Sequence, residues 1–263
     1  MTRVLSALVL LPIVVGTVWF LPPIGTIVLA LVAAAFAFHE YATIAQALGA
    51  YVPRVFTGAA VLTACAAVGA GSLWPEVILL SALLVVGSLA VASGQPGPAI
   101  LRDASASVFA VVYIGLPLGA LAALHSLAGR EAVLLLMATI VVSDSAQYYT
   151  GRAFGRRPLA PSISPKKTRE GAFGGVVLGT AAMVIGGLWV LPDVDLLLLV
   201  IAAAAIVALG IVGDLFESLL KRSAGVKDSS TLIPGHGGVL DRIDSWLFAA
   251  PLFYVLIRFI HIS

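Results

Sequence analysis

The sequence predicts an all-α, polytopic transmembrane helix bundle of about nine spans, and three observations carry that expectation. The 263 residues are 60% hydrophobic and only 11% charged, with a mean hydropathy of +1.09. A soluble domain carries about 25% charged residues, so this chain has too little polar surface to cover a globule in water. Apolar runs long enough to cross a hydrocarbon core of about 30 Å recur along the whole chain. The polar residues are gathered into two stretches of the second half rather than spread evenly.

The expected spans are 4–21, 25–46, 55–73, 76–93, 105–125, 131–150, 172–191, 195–218 and 244–261. The first follows Arg3 and has the look of a signal peptide. Trp19, Phe20, Pro22 and Pro23 stand where a small-residue cleavage site would be, so it reads as an uncleaved span. The second ends near His39 and Glu40. Ionisable groups at membrane depth cost about 2.5–3.5 kcal/mol, so these two either lie at the interface or have a function. The third contains Cys65, the single cysteine, which excludes an intrachain disulfide and reads as packing. Residues 1–130 form a scaffold of about five spans. Residues 131–263 carry the remaining spans, about four in number, with polar stretches at 151–171 and 219–243.

Ten of the 15 Lys and Arg residues fall between Arg152 and Arg242. With nine helices both polar stretches lie on one side, together with Arg3, Arg54 and Arg102, leaving Arg130 and Arg258 opposite. The positive-inside rule makes the basic side cytoplasmic, with the N-terminus inside and the C-terminus outside. An active site built from these stretches therefore faces the cytoplasm.

In the first stretch, Ser143–Gly175, Asp144 lies near the cytoplasmic end of the sixth span and is expected to face the bundle interior, with Tyr148 one turn later. The following loop offers Arg152, Arg156, Arg157, Lys166, Lys167 and Arg169 with Ser162, Ser164 and Thr168, cations and hydroxyls suited to phosphate oxygens. Arg152, Arg156 and Arg157 equally suit anionic lipid headgroups. The segment Ser164–Thr168 (SPKKT) reads as a proline-fixed turn. It leads to Gly171, Gly174 and Gly175, which would let backbone amides approach an anion at a helix start.

In the second stretch, Gly213–Ser245, helical spacing puts Asp214, Glu217, Ser218 and Lys221 on one polar stripe. Asp241 and Asp244 open the ninth span one turn apart. Oxygen donors with no accompanying cysteine suit a hard cation such as Mg2+, which takes one or two carboxylates plus substrate phosphates. Asp214 and Asp241 supply that minimum. The bland alternative is ion pairing with Lys221, Arg222 and Arg242, or helix capping. His236, set between glycines in Pro234–Gly238, is placed to contact a phosphate. No Walker loop and no strand followed by GxGxxG is present, and the basic residues lack the interleaved aromatics of a nucleic-acid surface.

The second stretch resembles the phosphatidate cytidylyltransferase (CDP-diacylglycerol synthase) family. The matching positions are Ser218, Lys221, Arg222, Lys227, Asp228, Pro234, His236, Gly237, Gly238, Asp241, Arg242 and Asp244, twelve fixed positions over 27 residues. Ser164–Thr168 with Glu170 and Gly171 is similar to the family's upstream block. Arg169 departs from a common tryptophan, and DSAQY departs from the usual Asp-Thr-x-x-Tyr. The resemblance covers residues 143–245.

It implies transfer of CMP from CTP to phosphatidic acid, giving CDP-diacylglycerol and pyrophosphate, in a bacterial cytoplasmic (inner) membrane. It also implies a homodimer, and Mg2+ alone or with a second cation. Asp214 and Asp241 would hold the metal. With Asp144, Lys167 and Lys221 they form the expected catalytic set, Asp144 as a secondary ligand or orienting a basic residue. Ser164, Lys166, Arg222, Lys227, Asp228, His236, Gly237, Gly238 and Arg242 would bind the substrates. Two alternatives are a CTP-dependent polyprenol or dolichol kinase and an ion-coupled transporter. The transporter would need acids near the midplane and matching broken helices, which this sequence lacks.

Overall fold

A computed structural model describes residues 2–262 except 73, 93 and 95, and side chains over 8–260 with the same exceptions. The Arg3 side chain, counted above among the basic-side residues, lies outside the described side chains. The chain is helical nearly throughout and divides into two compact units: residues 1–123 with 223–242, and residues 124–222 with 243–263.

The first unit contains α1 (Thr2–Phe20), α2 (Pro23–Ala47), α3 (Arg54–Gly69), α4 (Pro75–Ala92) and α5 (Ala99–Ala110). A π-helical turn (Val111–Gly115) and the start of α6 (Leu116–Phe154) follow. Prolines set the helix starts: α2 has Pro at its first positions and α3 follows Pro53, where the missing N–H is no loss. Helix α3 packs on α2 and on the π-helical turn. The last contact is backbone-close, since a Cβ on Gly115 would stand 2.8 Å from the Val61 carbonyl and one on Gly119 2.8 Å from that of Cys65. Such small-residue contact replaces the hydrophobic drive that is missing between helices in lipid. Cys65 is fully buried there, in the packing role expected of it.

The second unit contains the rest of α6, a hairpin of β1 (Pro158–Ala160) and β2 (Ser164–Thr168), α7 (Arg169–Val190), α8 (Leu196–Ser223) and most of α9 (Leu240–Ile262). The strands are antiparallel, with Pro158 opposite Thr168 and Ala160 opposite Ser164. The expected turn at Ser164–Thr168 is therefore a strand, and the reversal lies just before it, where Ile163 N donates to Ala160 O at 3.1 Å. Pro165 is tolerated because a two-stranded ribbon is all edge.

The described residues include six helices long and apolar enough to cross a membrane. The all-α, polytopic membrane class holds. Two features relate these six to the nine expected. The spans expected at 105–125 and 131–150 lie on either side of Gly129 (φ 82°, ψ 172°), where the helical run Ala99–Phe154 is broken by a backbone conformation that only glycine adopts cheaply. The apolar helix Arg54–Gly69 is shorter than a full span, and α1 is described with side chains only over Leu8–Phe20.

Candidate active site

In the second unit the polar residues collect where α6 ends, the hairpin forms, and α7, α8 and α9 begin or end. Thr168 closes β2 and caps α7, its Oγ1 accepting from Gly171 N at 3.1 Å. Glu170 Oε2 accepts from Arg156 N at 3.0 Å and Arg157 N at 3.2 Å, which ties the chain entering β1 to the first turn of α7. With both ends of the hairpin fixed, Lys167 is turned inward and its Nζ pairs with Asp214 Oδ2 on α8. Lys166, next to it, points the other way and is exposed, as period-two geometry requires.

One turn beyond Asp214, Glu217 is completely buried and pairs with Lys221 at i+4, itself buried. Asp244 on α9 is close enough to Asp214, Asp144 and Lys221 to interact with their charges. Asp144 is exposed rather than facing a bundle interior, and accepts from Gln147 Nε2 at 3.0 Å. Arg222 reaches the hairpin, its Nε donating to Ile163 O at 3.4 Å. Asp144, Asp214 and Lys221 thus lie around Asp244, with Lys167 joined through Asp214 and Arg222 held on the hairpin.

The glycines after Thr168 do something other than expected. A Cβ on Gly171 would lie 2.7 Å from Gln147 O, and one on Gly175 would overlap the Gln147 side chain and stand 3.1 Å from Ser143 O. A Cβ on Gly174 would overlap Thr150. Gly171, Gly174 and Gly175 let α7 lie directly on α6; they are not an anion cradle.

In the first unit, residues 229–241 form a second polar centre. Pro234 and Gly235 (φ 78°) hold the central positions of a turn closed by His236 N on Ile233 O at 2.9 Å, and Ile233 bridges to Gly237 (φ 79°). Asp241, buried at the start of α9, accepts through Oδ2 from Ser229 N (2.9 Å), Ser229 Oγ (2.9 Å) and Gly238 N (2.7 Å). Glu40 of α2, 3% exposed, accepts from Ser229 Oγ (3.0 Å), Ser230 Oγ (2.7 Å), Val239 N (3.0 Å) and Leu240 N (2.7 Å). His39 instead is exposed and contacts Arg54 Nη1 at 3.2 Å. The neighbours that the sequence left undecided therefore separate into an exposed residue and a buried one. Lys227, Asp228 and Arg242 are exposed, while Gly238 is buried and His236 and Gly237 half-buried.

Ser229, Ser230 and Glu170 were not singled out from the sequence as site residues, and Glu40 only as an oddity. The available signal was an acid inside an apolar run, whose partners lie 189 to 200 residues away.

Asp144, Asp214 and Asp244 in the second unit, and Asp241 in the first, offer only oxygen, the donor type that Mg2+ takes. Among the described residues no three His, Cys, Asp or Glu side chains are grouped tightly enough to hold a metal ion by themselves. A cation here would complete its shell with water and phosphate, as Mg2+ characteristically does.

Membrane-length helices bearing lysines and carboxylates at their ends define a polytopic integral membrane protein with a charged polar centre. A family model described as the cytidylyltransferase family matches residues 1–260, and the chain belongs to that family. It is 47% identical over 129 residues to the phosphatidate cytidylyltransferase of Haemophilus influenzae, a stretch covering 46% of this chain and 44% of that protein. The phosphatidate cytidylyltransferase of Helicobacter pylori (strain J99) is 36% identical over 187 residues, covering 71% and 66% of the two chains. That of Thermotoga maritima is 35% identical over 185 residues, covering 68% of each. The matched stretch thus spans less than half of the Haemophilus protein.

Proposed function

We propose that the chain is a Mg2+-dependent phosphatidate cytidylyltransferase, moving CMP from CTP to phosphatidic acid to give CDP-diacylglycerol and pyrophosphate in phospholipid biosynthesis. The observation that carries this reading is the twelve-position pattern from Ser218 to Asp244, lying in a chain of the cytidylyltransferase family. The named relatives support it.

A phosphatidate oxygen attacks the α-phosphorus of CTP in line, the bond from that phosphorus to the β-phosphate bridging oxygen breaks, and pyrophosphate leaves. The phosphatidate phosphate is largely dianionic near pH 7, so no strong base is needed. The demand is to hold two anions together and stabilise the leaving group. Lys167, Lys221, Arg222, Lys227 and Arg242 do this as phosphate-binding cations, with Ser164, Lys166, Asp228, His236, Gly237 and Gly238 completing the substrate contacts. Asp214 also orients Lys167 through their ion pair, and Asp144 adds carboxylate charge beside Asp244. Asp214 and Asp241 are proposed as the Mg2+ ligands on the motif alone. When bound, Mg2+ supplies charge neutralisation and orientation of the triphosphate, and a second cation belongs to the same proposal.

The active site is proposed to face the cytoplasm from a nine-span bundle in the bacterial inner membrane, residues 131–263 carrying the chemistry, on the distribution of Lys and Arg. Acyl chains stay in lipid while the headgroup enters. A homodimer is proposed on the family resemblance alone.

The test uses detergent-purified protein with phosphatidate, Mg2+ and CTP labelled on its α-phosphate. Label entering the lipid as CDP-diacylglycerol is expected. Label staying in CDP while the γ-phosphate reaches a lipid would overturn the reading in favour of a lipid kinase.

A further inference from the structure

Glu40 lies in the largely apolar helix α2, far in sequence from every residue of the motif, yet its side chain accepts four hydrogen bonds. Each carboxylate oxygen accepts two hydrogen bonds: Oε2 from Ser229 Oγ and Leu240 N, Oε1 from Ser230 Oγ and Val239 N. Two of those donors are backbone amides at the opening of α9, where N–H groups have no partner within the helix and a negative charge is favoured. The other two are the hydroxyls of the segment that precedes the Pro234–Gly238 turn. One side chain therefore fixes both ends of the loop 229–240.

Ser229 makes the connection specific. Its Oγ stands 3.0 Å from Glu40 Oε2 and 2.9 Å from Asp241 Oδ2, while its backbone N–H donates to the same Asp241 oxygen at 2.9 Å. A hydroxyl has one proton to give, so Ser229 Oγ donates to one carboxylate at a time or shares its proton between them, and its place between the two couples them. The fit has no slack, because a Cβ on Gly238 would overlap both Ser229 Oγ and the Glu40 carboxylate.

We propose that Glu40 is a positioning residue for Asp241, holding its carboxylate in place through Ser229 and the 238–240 backbone. This rests on the proposed reading of Asp241 as a Mg2+ ligand. Outer partners that orient a ligating carboxylate influence metal affinity without touching the metal. An amide at position 40 keeps the shape but turns one acceptor into a donor that faces existing donors. Glu40→Gln is therefore the informative substitution, and Glu40→Asp, which keeps the charge and loses reach, is the graded one.

Two measurements on the full-length purified protein decide the matter. Amide hydrogen exchange without substrates or metal reads the clamp directly. In Glu40→Gln the amides of residues 229 and 238–240 are expected to exchange faster while α7 and α8 are unchanged, with Glu40→Asp intermediate. The second is the Mg2+ dependence of CDP-diacylglycerol formation. The Mg2+ concentration for half-maximal rate is expected to rise by roughly 10- to 100-fold in Glu40→Gln, with the KM for CTP little changed and partial recovery in Glu40→Asp. Ser229→Ala should move both readouts in the same direction. A rise in KM for CTP without a shift in Mg2+ dependence, or unchanged exchange at 238–240, would overturn the proposal. If wild-type protein forms no CDP-diacylglycerol, the functional reading fails, and the exchange data alone judge the clamp. General unfolding of Glu40→Gln would show as faster exchange throughout. The Glu40→Asp and Ser229→Ala variants then carry the decision.

Discussion

Lys167 and Asp214 are each about three-quarters covered, with 22% and 26% of their side chains exposed, so neither has bulk water to replace its partner fully. Lys167→Met is expected to lower CDP-diacylglycerol formation by about 10²-fold, the scale of losing one oriented donor at a charged transition state. Lys167→Arg should recover only part, because a planar guanidinium does not reproduce a point charge. A double-mutant cycle with Asp214→Asn is expected to be strongly non-additive. Glu217 poses a different problem, since it is wholly buried with Lys221 as its ion-pair partner. Glu217→Gln is expected to destabilise the protein by roughly 3–5 kcal/mol, because it strands a buried ammonium. The double variant Glu217→Leu with Lys221→Met should regain most of that stability, read by unfolding in detergent. Of these two pairs, Glu217 with Lys221 was readable from i,i+4 spacing. Lys167 with Asp214 was not, since 47 residues separate them and only the hairpin brings them together.

At the scale of elements, α7 is held against α6 by absent side chains. Gly171→Ala places a methyl 2.7 Å from the Gln147 carbonyl, and backbone does not yield as a flexible side chain would. The expected cost is about 1–3 kcal/mol of stability. Because Thr168 and Lys167 immediately precede that contact, turnover should fall as well. Gly87→Ala in α4 is the matched control: its new methyl meets nothing within 4 Å, so it should be neutral or stabilise by up to about 1 kcal/mol through helix propensity. Thermal unfolding of the two variants side by side checks the contrast. The sequence showed a small-residue cluster at this place but not its use. Glycines that open a path for an anion and glycines that admit another helix have the same pattern, and only the position of Gln147 separates them. The strand at Ser164–Thr168 escaped for a similar reason, because Pro165 reads as a turn residue until an antiparallel partner is seen at Pro158–Ala160.

For the whole molecule, the class was legible because hydropathy is a sum over long windows and tolerates local error. The break between the spans expected at 105–125 and 131–150 was legible in the same way and falls at Gly129, whereas run length alone did not register that Arg54–Gly69 forms a helix shorter than a full span. The proposed orientation has a direct test, helped by the single native cysteine being buried. Cysteines introduced one at a time at Lys166 and Arg130 in a Cys65→Ala background should react from opposite sides of sealed vesicles, position 166 from the cytoplasmic side. Labelling of both from one side would reject the threading. The polar centre around Glu40 was the least legible part, since a buried acid in an apolar helix advertises a need without naming what meets it.

The acceptor in α2 and its donors at 229–240 are also separated in time. As the chain is synthesised, Glu40 enters the bilayer with its helix long before Ser229 exists, 189 positions later. Until then a nascent chain carries an acid at membrane depth with its final partners unmade, and arrival of the 229–240 segment quenches it. An interrupted or misthreaded chain keeps that acid on display.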